Sequence, residues 1–378
     1  MANEQIAINP DIIRWARDRA GYDLDTAMQK FASIAAWEAG EASPTYPQIE
    51  RLAEVFKVPV AVFFFPEPPQ LPPIRDSFRT LPDAEFQQIP RHIRFLLRKA
   101  KALQLNLAEL CNGRNPAKKV VTKDLVLNAD DRVANAVNQL REYIEVSLAQ
   151  QTTWKTDDEA LESWRSAFNA IGVYVFKDAF RDRNFSGFCL YDDEFPIIYV
   201  NNSDSKTRQI FTLFHELAHI LFQTSGIDTK SDEFVEGLPE DDRRIEVFCN
   251  RFAAEFLVPR EAFEDRLAGR EPTEATATAL AAHFKVSREV IFRKFLDRNF
   301  ISQEQYQEAA ARWAAQKKGG AGGDYYWTKL SYLGREYVQL ALSQYHQNRI
   351  SEEQLAEYLD AKPKHVETLE AYFARENA

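Results

Sequence analysis

Residues 211–222 read FTLFHELAHILF, and they set two histidines and a glutamate in an almost wholly apolar helix. Phe211, Leu213, Phe214, Leu217, Ala218, Ile220, Leu221 and Phe222 are spread round every face of a 3.6-residue helix, so this segment is expected to be buried on most sides. A buried carboxylate neutralises itself or finds a cation, and a buried imidazole needs a partner for each ring nitrogen. His215 and His219 stand one turn apart on one face, with Glu216 about 100° round from them. Two imidazoles at this spacing can grip one metal ion while the adjacent glutamate reaches the water on it, the HExxH arrangement of a zinc site. Bound zinc lowers the pKa of its water from about 15.7 to roughly 7, so Glu216 can take a proton and later return it to a leaving amine.

Such a site needs a third protein ligand. Downstream, Glu233, Glu236, Glu240, Glu246 and Glu255 or an aspartate are available, and Glu246 is the best placed. It lies within RRIEVFCNRFAAEFLVP, whose Ile245, Phe248, Phe252, Ala253 and Phe256 form an apolar stripe fit to pack on the first helix. Asn250, one turn on, could orient a ligand. His92, His283, His346 and His365 are isolated and read as surface or core residues.

Upstream, WRSAFNAIGVYVF passes from helix through Gly172 into a strand, and FSGFCLYDDEFPIIYVNN reads as an antiparallel hairpin with strands near 185–191 and 196–200. That hairpin precedes the metal helix closely. Its second strand could hold a peptide by main-chain pairing, with Tyr199, Tyr191 and Asn201 as substrate-side residues. Cys189 and Cys249 read as buried thiols, and with Cys111 they offer no CxxC pair and no disulfide framework, as in a reducing cytoplasm.

Five stretches follow along the chain: a small helical domain (1–65), a proline-rich linker (66–83), the metal-site domain with helical extensions (84–316), a glycine-rich linker (317–325) and a C-terminal helical module (326–378). The last helices are amphipathic and suit either docking or core packing. A formal charge of −10 disfavours a broad nucleic-acid footprint. The N-terminal MANEQIAINPD lacks a signal-peptide pattern, and the apolar run VPVAVFFF is far too short for a membrane span, so a cytoplasmic protein without membrane contact is expected.

GFCLYDDEFPIIYVNN, TRQIFTLFHELAHILF and IEVFCNRFAAEFLVP resemble the ImmA/IrrE family of zinc metallopeptidases, over about residues 172–300. The resemblance implies a predominantly helical α+β fold: a zincin-like core with a small antiparallel sheet and the HExxH helix, flanked by helical modules. It implies one Zn²⁺ on His215, His219 and Glu246, Glu216 as the catalytic acid/base, and a substrate that is a specific regulatory protein, a repressor or antitoxin-like partner. LDTAMQKFASIAAWEAGEASPT and the PEPP that follows are similar to an Xre/Cro-type helix-turn-helix, which implies a DNA-binding regulator with a peptidase-derived sensor, or a toxin–antitoxin or phage-defence component. Between Leu24 and Trp37, however, the chain is about five residues short of that motif, more than one helical turn. Residues 1–60 also carry six basic against nine acidic side chains, so DNA is the less expected partner of this domain.

Overall fold

The computed structural model describes residues 4–70, 89–229, 238–316 and 323–376. Most of the proline-rich linker and residues 317–322 of the glycine-rich one lie outside them, as do Glu233 and Glu236. The chain forms two compact units, dividing within the helix Arg91–Leu110 at residues 99 and 100.

The N-terminal unit begins with α1 (Pro10–Arg19), α2 (Leu24–Met28), α3 (Ile34–Glu38) and α4 (Tyr46–Phe56). Thr45 and Gln48 form a reciprocal capping box at the start of α4, as the sequence pattern requires. Ile12, Ile13, Ala16, Trp37, Ile49 and Phe56 make the core. A buried ion pair from Arg17 Nε to Glu38 Oε1 at 2.6 Å ties α1 to α3. Helices α2 and α3 have five residues each, little more than one turn, and Ile34 and Trp37 of α3 face the core.

The larger unit contains α5 (Arg91–Leu110) from residue 100 on, then α6 (Val133–Ile144), α7 (Asp157–Ala170) and a four-stranded sheet. The strands are β1 (Tyr174–Asp178), β2 (Phe185–Leu190), β3 (Ile197–Asn201) and β4 (Ile227–Thr229), in the order β1-β3-β2-β4. Both pairings of β2 are antiparallel, matching the expected hairpin, but β1 runs parallel to β3, so the sheet is mixed. β3 is an interior strand covered on both faces: its five residues are all buried, and IIYV is a continuous apolar run where a strand with one solvated face would alternate. The exposed edge expected there is therefore filled on both sides.

Between β3 and β4 runs α8 (Lys206–Leu221), capped by Ser205 accepting from the Arg208 N–H. It packs on β2 and β3 on one side, on α9 (Glu240–Leu257) on another and on α7 on a third, which explains an apolar surface in every direction. Phe214 shows the tightness: its ring stacks on Phe256 of α9 at 4.3 Å and meets Trp164 of α7 edge-on at 4.8 Å. Four further helices follow α9: α10 (Arg260–Leu267), α11 (Glu274–Phe284), α12 (Arg288–Asp297) and α13 (Gln303–Ala315).

The other face of the sheet is covered by the C-terminal helices. α14 (Tyr325–Leu333) packs on β1, and Tyr337 of α15 (Arg335–His346) meets Phe176 edge-on at 5.2 Å. Arg165 of α7 donates to the carbonyls of Val175 and Ser331, joining β1 to α14. The amphipathic faces of α14 and α15 are thus spent on core packing.

At Gly187 of β2 an added Cβ would lie 2.5 Å from Thr212 Cγ2 and 2.9 Å from the Tyr199 carbonyl oxygen, so only glycine lets α8 approach this closely. Gly187→Ala is expected to destabilise the larger unit by about 1–3 kcal/mol. Thr212→Ser should restore part of that by removing the nearer contact. Thermal unfolding followed by tryptophan fluorescence measures both; an unchanged Gly187→Ala midpoint contradicts the packing argument.

Candidate metal centre

α8 and α9 bring His215, His219 and Glu246 together among the described residues. The Nε2 atoms of His215 and His219 are 3.2 Å apart, and Glu246 sets Oε2 3.4 Å from the first and Oε1 3.1 Å from the second. A tetrahedral ion with bonds of about 2.0–2.1 Å holds its donors about 3.3 Å apart. The trio fits that spacing without rearrangement. Both imidazoles are buried and the Glu246 carboxylate nearly so, and two nitrogens with one carboxylate oxygen suit a first-row divalent metal.

Without an ion the three groups pair with one another, and a metal would have to displace a proton from the histidine pair. Burial alone would depress His215, yet its hydrogen bond and charge interaction with Glu246 raise it to about 9. Burial likewise opposes ionisation of Glu246, but His219 and His215 hold it well below the usual carboxylate range. Glu216 is fully buried, and burial pushes it up to about 7 against the pull of both histidines. Among the described residues neither of its oxygens accepts a hydrogen bond of ordinary geometry, and Nδ1 of His215 has no partner. Buried carboxylates are usually hydrogen-bonded; here the Cys189 thiol is the polar neighbour of Glu216, and the carboxyl lies next to the three converging donors.

The chain leaving α8 completes the site. Gln223 takes a left-handed φ of 58°, and the Thr224 N–H and hydroxyl both bond back to the His219 carbonyl. Gly226 then lies flat against the His219 ring: a Cβ there would meet its Cγ at 2.8 Å. Gly226 is also held to β2, its N–H on the Cys189 sulfur at 3.2 Å and its carbonyl on the Cys189 N–H at 3.0 Å. Buried Asp228 on β4 accepts from Thr212 Oγ1 at 3.1 Å and Arg208 at 3.2 Å, pinning the edge strand to the first turns of α8. Sequence reasoning missed Gly226 and Asp228 because a three-residue strand is too short to show a period.

The remaining expected site residues lie elsewhere. Tyr199 is on the sheet face away from α8: its ring stacks on Phe188 at 5.1 Å and its hydroxyl donates to Asp178 at 3.2 Å. Asn201 bonds the carbonyls of Asp182 and Phe185 and the Phe180 N–H, tying down a loop. The Tyr191 hydroxyl donates to Asp193. Strand alternation explains the first two, since Ile198 and Val200 are the residues that face α8. Asn250 orients none of the three ligands; one turn beyond Glu246, it is exposed and lines a cleft. Glu255 bonds Lys294 instead, and Glu240 begins α9.

Residues 168–295 match the family model described as Peptidase_M78, IrrE N-terminal-like domain. The chain is 38% identical over 100 residues to the radiation response metalloprotease IrrE of Deinococcus deserti (strain VCD115), an alignment covering 26% of this chain. It spans 34% of that relative's length. The segment holding the trio is thus similar to an IrrE-like metallopeptidase domain.

Glu246→Ala should weaken metal binding more than about 100-fold, and Gly226→Ala about 10–100-fold by displacing the His219 ring. Metal analysis after dialysis against graded chelator reads both. Wild-type affinity in Glu246→Ala would remove it from the ligand set, and wild-type affinity in Gly226→Ala would show that the ring tolerates the methyl group.

Proposed function

We propose that this protein is a zinc-dependent endopeptidase that cuts a specific intracellular regulatory protein, of the repressor or antitoxin kind. The observation that carries this reading is the juxtaposition of a His-His-Glu donor trio with Glu216, a carboxyl buried next to it on the same helix. The likeness to an IrrE-like metallopeptidase domain supports it from an independent direction.

His215, His219 and Glu246 would hold the ion. Bound zinc supplies Lewis acidity and a water whose pKa is near 7. Glu216 supplies the proton transfers: buried next to the donor trio, it would accept a proton from the attacking water and later give it to the leaving amine. Burial by α8, β2 and α9 also keeps bulk water from competing for its oxygens. Tyr199 and Tyr191 play no part in this reading, being committed to Asp178 and Asp193.

A protein substrate is favoured over DNA recognition by the N-terminal unit. At the position of the helix-turn-helix pair, α2 and α3 have five residues each and Ile34 and Trp37 are turned into the core, so neither is long enough to present several side chains to base edges. Among the described residues no helix is long and apolar enough to cross a membrane.

Glu216→Gln keeps the shape of the side chain and removes its basicity. It is expected to retain the metal and to lose about 10²–10⁴-fold in turnover. Incubating wild type and variant with the products of neighbouring genes, with and without chelator, provides the assay. Chelator-sensitive cleavage by wild type alone is the expected result; cleavage by the variant at the wild-type rate would overturn the role of Glu216.

A further inference from the structure

Glu246 stands in the wall of a broad cleft of about 2860 Å³. The outer stripe of α9, namely exposed Val247, Asn250 and Arg251 and half-buried Ala254, lines it next to Glu246, together with parts of α8, β4 and α11 to α13. Small-molecule pockets occupy roughly 300–1,000 Å³, so this cleft is of a size for a polypeptide segment.

Its charge is opposite to that of the chain. Ten lysines and arginines line it against seven aspartates and glutamates, while the whole sequence has 47 basic and 57 acidic residues. Most of the acidic side chains are already committed: Glu255 to Lys294, Glu264 to Arg260 and Arg298, Asp297 to Arg293, Asp228 to Arg208, and Glu246 to the histidines. Arg251 and Arg270 are exposed and make no ion pair with any described residue. The surplus positive charge is therefore available to a visitor.

We propose that the cleft seats an extended, acidic segment of the protein to be cut, with Arg251 reading a carboxylate near the scissile bond. This rests on the peptidase reading and adds the class of segment. Five residues of helix separate Glu246 from Arg251, a rise of about 7.5 Å with a net turn of about 140° round the axis, so the two groups lie at least that far apart along the cleft wall. An extended peptide advances about 3.3 Å per residue, which puts the recognised aspartate or glutamate at least two to three residues from the cut. Val247, 38% exposed beside Glu246, offers an apolar contact nearer the bond. A nucleic acid fits less well, because its affinity needs many phosphate contacts and here the cations are interleaved with carboxylates and apolar side chains.

The test uses full-length, zinc-loaded Glu216→Gln and labelled unstructured peptides of about twelve residues, some 40 Å extended: one acidic, one neutral and one lysine-rich. Single-stranded DNA of similar length is the fourth probe. Anisotropy should show the acidic peptide binding about three- to tenfold tighter than the neutral one, weakening with salt, and adding Arg251→Glu should erase the difference at an unchanged unfolding temperature. Equal affinities, a preference for the lysine-rich peptide, tighter DNA binding, or indifference to Arg251→Glu would each overturn the proposal. Wild-type zinc enzyme on a peptide library separates the two readings. Acid-dependent binding without cleavage leaves the cleft assignment standing and removes the peptidase, whereas cleavage with no enrichment of aspartate or glutamate near the cut does the reverse.

Discussion

Three ionisable side chains buried in one apolar helix are the constraint on which the larger unit depends. An uncompensated buried charge destabilises a fold by several kcal/mol, and α8 carries His215, Glu216 and His219 with almost no exposure. Glu246 of α9 answers two of them, with one oxygen near each imidazole. The α8–α9 packing is therefore electrostatic as well as apolar. Phe214 on Phe256 fixes the separation of the helices, and the carboxylate then falls opposite the histidine pair. Glu216 has no comparable answer among the described residues: the Cys189 thiol is the polar group beside it, and burial holds its carboxyl above the usual range.

The two close approaches around α8 follow from that same constraint. Donor atoms must converge to about 3.3 Å to share a tetrahedral ion, which leaves little freedom in how the helix lies on its sheet. Gly187 lets α8 sit down on β2, and Gly226 lets the returning chain press on the His219 ring. At Gly226 the backbone also pairs with Cys189, so one residue is fixed by the ladder and the imidazole at once. Asp228, bridging Arg208 and Thr212, extends this bracing to the sheet edge.

Much of this was legible in the sequence, for physical reasons. The 3.6-residue pattern with histidines one turn apart located α8 and both imidazoles, and the apolar stripe of RRIEVFCNRFAAEFLVP placed Glu246 on the face that meets them. The Asp-Asp-Glu turn gave the hairpin. What sequence reasoning could not see were tertiary choices. Placing β3 at the sheet edge failed because a run of five buried residues looks alike in a hairpin and between two neighbours. Tyr199 and Asn201 went to the wrong face by the same ambiguity, since one residue of register exchanges the faces of a strand. Asn250 shares a helix face with Glu246 only approximately: four residues advance about 400°, which turns it outward toward the cleft. β4, with three residues, had no pattern to read.

The central claim is the identity of the ligands, and it has a rival within the same site: the buried thiol of Cys189 stands beside Glu216, and that of Cys249 lies on α9 near Glu246. Burial pushes both thiols well above their usual range, which opposes thiolate ligation. X-ray absorption at the zinc edge of the loaded full-length protein separates the two sets directly. Histidine and carboxylate ligation predicts a nitrogen and oxygen shell at about 2.0–2.1 Å with imidazole multiple scattering and no sulfur. A sulfur shell at about 2.3 Å, or a spectrum without imidazole features, would contradict the account.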